Sequence, residues 1–300
     1  MQRITNWLQQ HWKQILLWIP FAWLLLFFLT PFFIVLKISV AEPLIASPPF
    51  SALLEWGEGF FPTVSTTINN YSYLWEDPLY VNTYFNSLQI ALTCTVICLL
   101  IGYPMAYGIV RSSGNWKLIL LLLVMLPFWS SFLLRVYAWM GILADQGTIN
   151  DILIWLRIID KPIRLLYTEF AVYVGIVYTY LPFMILPLYA NLEKLDFSLN
   201  DAAADLGARP TITFFTVTIP LTWPGIVAGC LLVFIPATGE FVIPDLLGGG
   251  NVLMIGRVLS SEFNANRDWP VASAVAVVLL IVLVVPMMLY HRVQAHESNS

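Results

Sequence analysis

Residues Ser87–Ile109 read SLQIALTCTVICLLIGYPMAYGI, 23 consecutive positions without an Asp, Glu, Lys or Arg. A bilayer core about 30 Å thick takes about 20 apolar residues per helix, at about 1.5 Å of rise each. This run is long enough to cross. The same test along the chain yields five more runs: Leu16–Val40, Leu118–Trp139, Phe170–Leu192, Ile226–Leu247 and Val271–Tyr290. The chain carries 14 Lys and Arg and 18 Asp and Glu, yet only Lys37, Arg135, Glu240 and Asp245 fall inside the six runs. Strands of a membrane barrel would alternate in short segments, and these runs do not. The segregation predicts an all-α, polytopic membrane protein with six transmembrane helices. They form one domain over residues 16–290, with short tails at 1–15 and 291–300.

Composition excludes the rival classes. With 59% apolar residues, 11% charged residues and a mean hydropathy of +0.78, the chain cannot cover a water-facing surface with polar groups. Disorder needs low hydrophobicity and high net charge. A net charge of −4 with no Lys/Arg run argues against nucleic acid as a partner. Three cysteines make no disulfide scaffold. Motifs for phosphate binding, zinc hydrolysis and a serine nucleophile are missing. His11, His291 and His296 sit at the tails, and Cys94 and Cys98 share a helix face with no further metal ligands. No catalytic residue, cofactor or metal is expected in this chain, so ATP-driven transport would require an ATPase on another subunit.

The Lys/Arg bias orients the spans. Arg3 and Lys13 precede the first run, and Arg111 and Lys117 flank the loop after the second. The 46-residue loop Ala41–Asn86 between them has no Lys or Arg and carries Glu42, Glu55, Glu58, Glu76 and Asp77. Both termini are therefore expected in the cytoplasm, with the first run an uncleaved anchor. The loop of residues 193–225 faces the same side.

Nine of the 19 prolines fall inside the runs, where each removes a backbone donor and is expected to kink its helix. The fifth run goes further. Ile235-Pro236-Ala237-Thr238-Gly239-Glu240-Phe241-Val242-Ile243-Pro244-Asp245 places a carboxylate between two prolines and beside a glycine. Interrupted helices that carry charge mark solute sites in transporters. Glu240 lies ~21 Å along the run at 1.5 Å per residue, and Arg135 ~26 Å along the third. Either the two form an ion pair, or Glu240 receives a cationic solute with Asp245 at the outer edge. Aromatic faces suited to an ammonium group are Trp129, Tyr137 and Tyr178, with Trp139 and Tyr180 beside them.

The loop of residues 193–225 contains Leu199-Asn200-Asp201-Ala202-Ala203-Ala204-Asp205-Leu206-Gly207-Ala208-Arg209-Pro210. It reads as a short helix with an acidic start that suits its dipole. Gly207 ends that helix, Pro210 prevents simple continuation, and a second short helix follows. Leu206, Phe214 and Phe215 want a partner surface.

This loop resembles the cytoplasmic signature of the inner-membrane permease subunits of bacterial ABC importers: E-A-A, three residues, G, nine residues, then I-x-L-P. Asp201-Ala202-Ala203, Gly207 and Val217-Thr218-Ile219-Pro220 keep the register, with Asp201 for Glu, Val217 for Ile and Ile219 for Leu. Leu126–Trp139, Gly239–Gly249 and Asn266–Pro270 look like the polyamine branch of that family. The resemblance implies the type I importer permease (MetI-like) fold in the bacterial inner membrane. It assigns Asp201, Ala202, Ala203, Asp205 and Gly207 to coupling with an ATPase. It also implies a second permease subunit as heterodimer partner, two ATPase subunits that bind ATP and Mg, and a periplasmic polyamine-binding protein. Putrescine is the implied solute, and spermidine or another small solute the alternative. A self-sufficient secondary transporter is the rival from another class, against which the loop argues.

Overall fold

Inside a bilayer the backbone has only protein groups to bond, so the chain must run as helices and may stop only where something replaces the lost bonds. The computed structural model describes residues 16–52, 54–55, 63–64 and 66–297. The N-terminal tail 1–15, Glu58 and residues 298–300 lie outside the described residues. In chain order the helices are α1 (Leu16–Ser39), α2 (Asn69–Glu76), α3 (Pro78–Arg111), α4 (Asn115–Trp129), α5 (Phe132–Leu143), α6 (Thr148–Trp155), α7 (Glu169–Leu192), α8 (Ser198–Asp205), α9 (Pro210–Thr238), α10 (Val242–Leu247), α11 (Ile255–Ser261) and α12 (Trp269–Glu297). Leu54–Glu55 and Thr63–Val64 pair as a minimal antiparallel ladder. Among the described residues α1, α3, α7 and α9 are each long and apolar enough to cross a membrane. The third predicted place holds a bent pair of helices, and the sixth a shorter apolar stretch, Trp269–Val285.

Two spans differ from expectation. Leu118–Trp139 is not one helix: the chain turns by 93° between α4 and the stretch Phe132–Trp155, which begins with α5. Ser130 and Ser131 adopt extended ψ angles of 153° and 136°. The carbonyl of Pro127 is bonded instead by the Ser130 amide at 3.2 Å and hydroxyl at 2.8 Å. Hydropathy passes over two serines, but their hydroxyls compete with the helix for backbone partners.

The helix at the fifth run spans Pro210–Thr238, so it begins within the predicted 193–225 loop, before Ile226, and ends short of Leu247. The second short helix expected after Pro210 is the first turns of α9. Pro210 starts the helix at a position where its missing N–H costs nothing. The threonines that resemble a loop bond back onto the helix, Thr216 to the Ile212 carbonyl and Thr222 to that of Thr218, each at 2.8 Å. Pro104, Pro182, Pro187, Pro224 and Pro236 all lie within continuous helices. Breaks fall elsewhere.

The described chain forms two compact units, one from the stretches up to Pro78 and from Leu259 onward, the other from Leu79–Val258. In the first, α12 packs along α1 and α2. The Asn70 carboxamide donates to the carbonyls of Ser39 and Ala41 at 2.9 and 2.8 Å, tying α2 to the end of α1. Trp18, Phe21, Trp23 and Phe28 on α1 are exposed, a surface suited to acyl chains.

In the second unit the dominant pairing is α7 against α9. Gly225 and Gly229, four residues apart on one face of α9, let the two backbones approach. A Cβ at Gly229 would stand 2.7 Å from Met184 Sδ and 3.2 Å from the Met184 carbonyl oxygen. One apolar cluster gathers Ile90, Ile176, Ile243, Leu247 and Met254, and a second gathers Cys98, Met184, Ile185, Leu188 and Val233. Gly229→Val should force α7 and α9 apart, at the ~1–3 kcal/mol typical of overpacking. A lowered unfolding midpoint of the purified protein in detergent would show it, and an unchanged midpoint would contradict this packing.

Candidate functional site

α9 ends at Thr238, and the chain restarts as α10 only at Val242. Between them Glu240, 8% exposed, turns its side chain back onto the gap. Its Oε1 accepts the amides of Phe241, Val242 and Ile243 at 3.2, 3.0 and 3.4 Å. These are the amides that a new helix leaves unbonded at its start. Its Oε2 accepts the Tyr180 hydroxyl of α7 at 2.6 Å. All four donors are neutral. Among the described residues the ion pairs are Lys117–Glu193 and Arg257–Asp245, so no basic side chain balances Glu240 within 4.0 Å.

The break is fitted from behind by α11. Gly256 faces the carbonyl oxygens of Gly239 and Glu240, and a Cβ there would lie 2.7 Å from the Glu240 oxygen. Ser87 on α3 accepts the Ile255 amide at 2.7 Å, which fixes the start of α11. Ile243 and Leu247 on α10 are fully buried in the apolar cluster that also holds Ile176 of α7. The carboxylate therefore sits at a helix interruption held on several sides.

The structure separates the other residues that the sequence brought forward. The Arg135–Glu240 ion pair is not formed. Arg135 lies instead 6.0 Å from the Phe128 ring centroid and 5.9 Å from that of Phe132, and its Nε and Nη1 are buried without a hydrogen-bond partner. Equal depth was counted along two straight helices, and the third run is bent by 93°. Asp245 is paired with Arg257 at 2.9 Å, and Arg257 also donates to the Gly249 carbonyl. Trp129 and Tyr137 are exposed, and Tyr178 packs edge-on against Trp139 at 5.4 Å. The aromatic that reaches Glu240 is Tyr180, one helical neighbour among several that sequence alone could not rank.

The loop after α7 folds as its sequence suggests. The Asp196 carboxylate accepts the Ser198 amide at 3.0 Å at the start of α8, and that hydrogen bond holds Asp196 below the usual carboxylate range. Asp201 stands in the first turn. At the far end Gly207 takes φ +86°. Its amide donates to the Ala204 carbonyl at 2.8 Å and the Ala208 amide to that of Ala203 at 3.0 Å, the paired closing bonds of a glycine-capped helix. Asp201, Ala202, Asp205, Leu206 and Gly207 are exposed and Ala203 is half-buried.

Comparison with known proteins places this geometry in a lineage. The chain is 44% identical over 274 residues, 91% of its own length and 91% of the relative's, to the spermidine/putrescine transport system permease protein PotB of Haemophilus influenzae. It is 43% identical, over 81% of its length and 88% of the relative's, to the protein of the same description from Escherichia coli. Identity is 32%, over 74% of each chain, to the inner membrane ABC transporter permease protein YdcU of Escherichia coli. A solved bacterial ABC transporter that imports alginate shares the fold, with a TM-score of 0.65 over 97% of this chain and 99% of that one at 17% identity. No family model matches the chain.

Gly256→Ala should push the Gly239 and Glu240 carbonyls off their positions and loosen the break. We expect ~1–3 kcal/mol of destabilisation, read as a lower unfolding midpoint in detergent, and an unshifted midpoint would contradict the close approach.

Proposed function

The chain belongs to the inner-membrane permease subunits of bacterial ABC importers, and from that membership we propose that it carries a polyamine, putrescine foremost, into the cytoplasm as one half of a permease heterodimer. Two ATPase subunits supply ATP binding and hydrolysis, and a periplasmic polyamine-binding protein delivers the solute. Both termini face the cytoplasm, which puts α8 on the ATPase side.

One observation carries the reading: a buried carboxylate at an interrupted membrane helix, bonded only by neutral donors. Neutral donors stabilise the charge without cancelling it, so the site still attracts a cation. An ammonium group leaving water needs such a counter-charge, since an isolated charge at membrane depth costs several kcal/mol. The rings of Tyr180 and Phe183, 6.1 Å apart between centroids, offer the aromatic faces that ammonium groups favour. Asp245 already holds Arg257, so Glu240 is the carboxylate free to meet a solute. Relatives named for both spermidine and putrescine support a polyamine.

In this reading alternating access exposes the Glu240 break to one side of the membrane and then the other. ATP binding biases the two states through α8, where Asp201, Ala202, Ala203, Asp205 and Gly207 meet the ATPase.

Glu240→Gln separates charge from structure. The Gln oxygen still accepts the amides of α10, but the negative charge is gone. Putrescine uptake should fall by about tenfold or more, the ratio that ~1.4 kcal/mol of lost pairing produces, with the complex intact by size. Full uptake in that variant overturns the role of Glu240. Uptake that labelled spermidine saturates and putrescine does not would move the assignment to the longer polyamine. Gly207→Ala places a Cβ in a left-handed conformation, at a cost of roughly 1 kcal/mol. It should lower solute-stimulated ATP hydrolysis while leaving basal hydrolysis in place, and equal stimulation would remove α8 from coupling.

A further inference from the structure

The end of α3, the exposed helix α8 and the first turns of α9 enclose a cleft of about 180 Å³. At ~30 Å³ per water molecule that is room for a side-chain tip, and it falls short of the ~300 Å³ at which small-molecule pockets begin. Tyr107 and Phe214 supply aromatic walls, while Arg111, Asn200 and Thr213 supply polar groups.

Those polar groups are rich in donors. Arg111 donates through Nη1 to the Tyr107 hydroxyl at 3.0 Å, and its guanidinium carbon lies 5.7 Å from the Tyr107 ring centroid and 5.9 Å from that of Phe197. The contacts steer the head group while leaving nitrogens unused, and among the described residues no carboxylate lies within 4.0 Å of it. Thr213 is 6% exposed, and its hydroxyl oxygen is buried without a hydrogen-bond partner. Leaving such a group unbonded costs ~1–3 kcal/mol. Asn200 accepts the Thr218 hydroxyl through Oδ1 at 3.4 Å, which leaves its NH2 as a further donor. The Arg111 cation and the Asn200 amide favour a ligand that accepts, and the unpaired Thr213 hydroxyl is able to donate to it.

The exposed side chains on the elements that line the cleft indicate where that ligand comes from. Leu206, just after α8, is 90% exposed and Phe215 on α9 66% exposed, and Asp201 and Asp205 are exposed on α8. A free anion would gain nothing from the apolar groups and would be repelled by the acids. A protein surface with an apolar recess and basic groups around one protruding carboxylate satisfies them all.

We infer that this cleft receives a single carboxylate side chain of the ATPase subunit, with Arg111 as its counter-charge and Thr213 and Asn200 as flanking donors. The inference rests on the proposed ABC-importer reading and adds a second anchor to that interface. Arg111 closes the α3 helix, so the carboxylate would grip a membrane helix directly as well as α8.

The test uses the assembled complex of both permeases and the ATPase. In an Arg111→Lys complex, a zero-length carbodiimide should join position 111 to an Asp or Glu of the ATPase. The product is identified by peptide mass spectrometry and should be missing from the wild type, whose guanidinium does not couple. Arg111→Glu should release the ATPase about tenfold more readily, and exchanging the identified acid for Arg should restore it. A product joined only to this chain, to the other permease or to lipid overturns the inference, as does an Arg111→Glu complex that retains and stimulates its ATPase like the wild type. A wild-type complex that holds no ATPase at all would instead take down the importer reading itself, and this inference with it.

Discussion

The second unit depends on how the backbone is satisfied where α9 stops. A membrane helix cannot end in hydrocarbon with open amides, because no water is there to bond them. Glu240 supplies the answer with one side chain: a single carboxylate oxygen takes three successive amides of the restarting helix. The other oxygen is held by Tyr180 from across the α7–α9 pair. The interruption is thereby stable, and a negative charge becomes part of its construction. A structural need and a chemical opportunity fall on the same residue.

That arrangement constrains its surroundings. α10 buries Ile243 and Leu247 beside Ile176. α11 passes so close to the interruption that position 256 has no room for a side chain. α7 carries the most consequence. It presents Tyr180 to the carboxylate, packs Met184 into the surface that Gly229 opens, and leads through Glu193 and the Asp196 cap into α8. From Tyr180 to Leu192 is 12 residues of unbroken helix, about 18 Å, so the buried charge and the exposed loop stand at two places along one rigid element.

The two interruptions were unequally legible. At Gly239-Glu240 a carboxylate beside a glycine announced itself, since charge inside an apolar run requires a partner. At Ser130-Ser131 nothing stood out, because two small hydroxyl residues barely change hydropathy and only their backbone angles reveal the turn. The start of α9 was hidden for a related reason. Threonines read as loop until their hydroxyls are seen bonding to the preceding turn. The spacing of Gly225 and Gly229 was available in the sequence, and it marks the most extensive helix pairing of the second unit.

Local chemistry determined what the chain alone could settle. Apolar run lengths, the scarcity of charge within them and the Asp201–Gly207 pattern specify a polytopic membrane protein with a capped helix in one loop, because each follows from neighbours a few residues apart. Partnership required the tertiary structure. Arg135 and Glu240 count as level along straight helices, yet the third run bends by 93° and the two form no ion pair. Tyr180 rather than Tyr178 reaches the acid, and Asp245 is occupied by Arg257. Residues far apart in sequence meet according to where helices bend and how closely they pack, and neither is encoded in the hydropathy of any one segment.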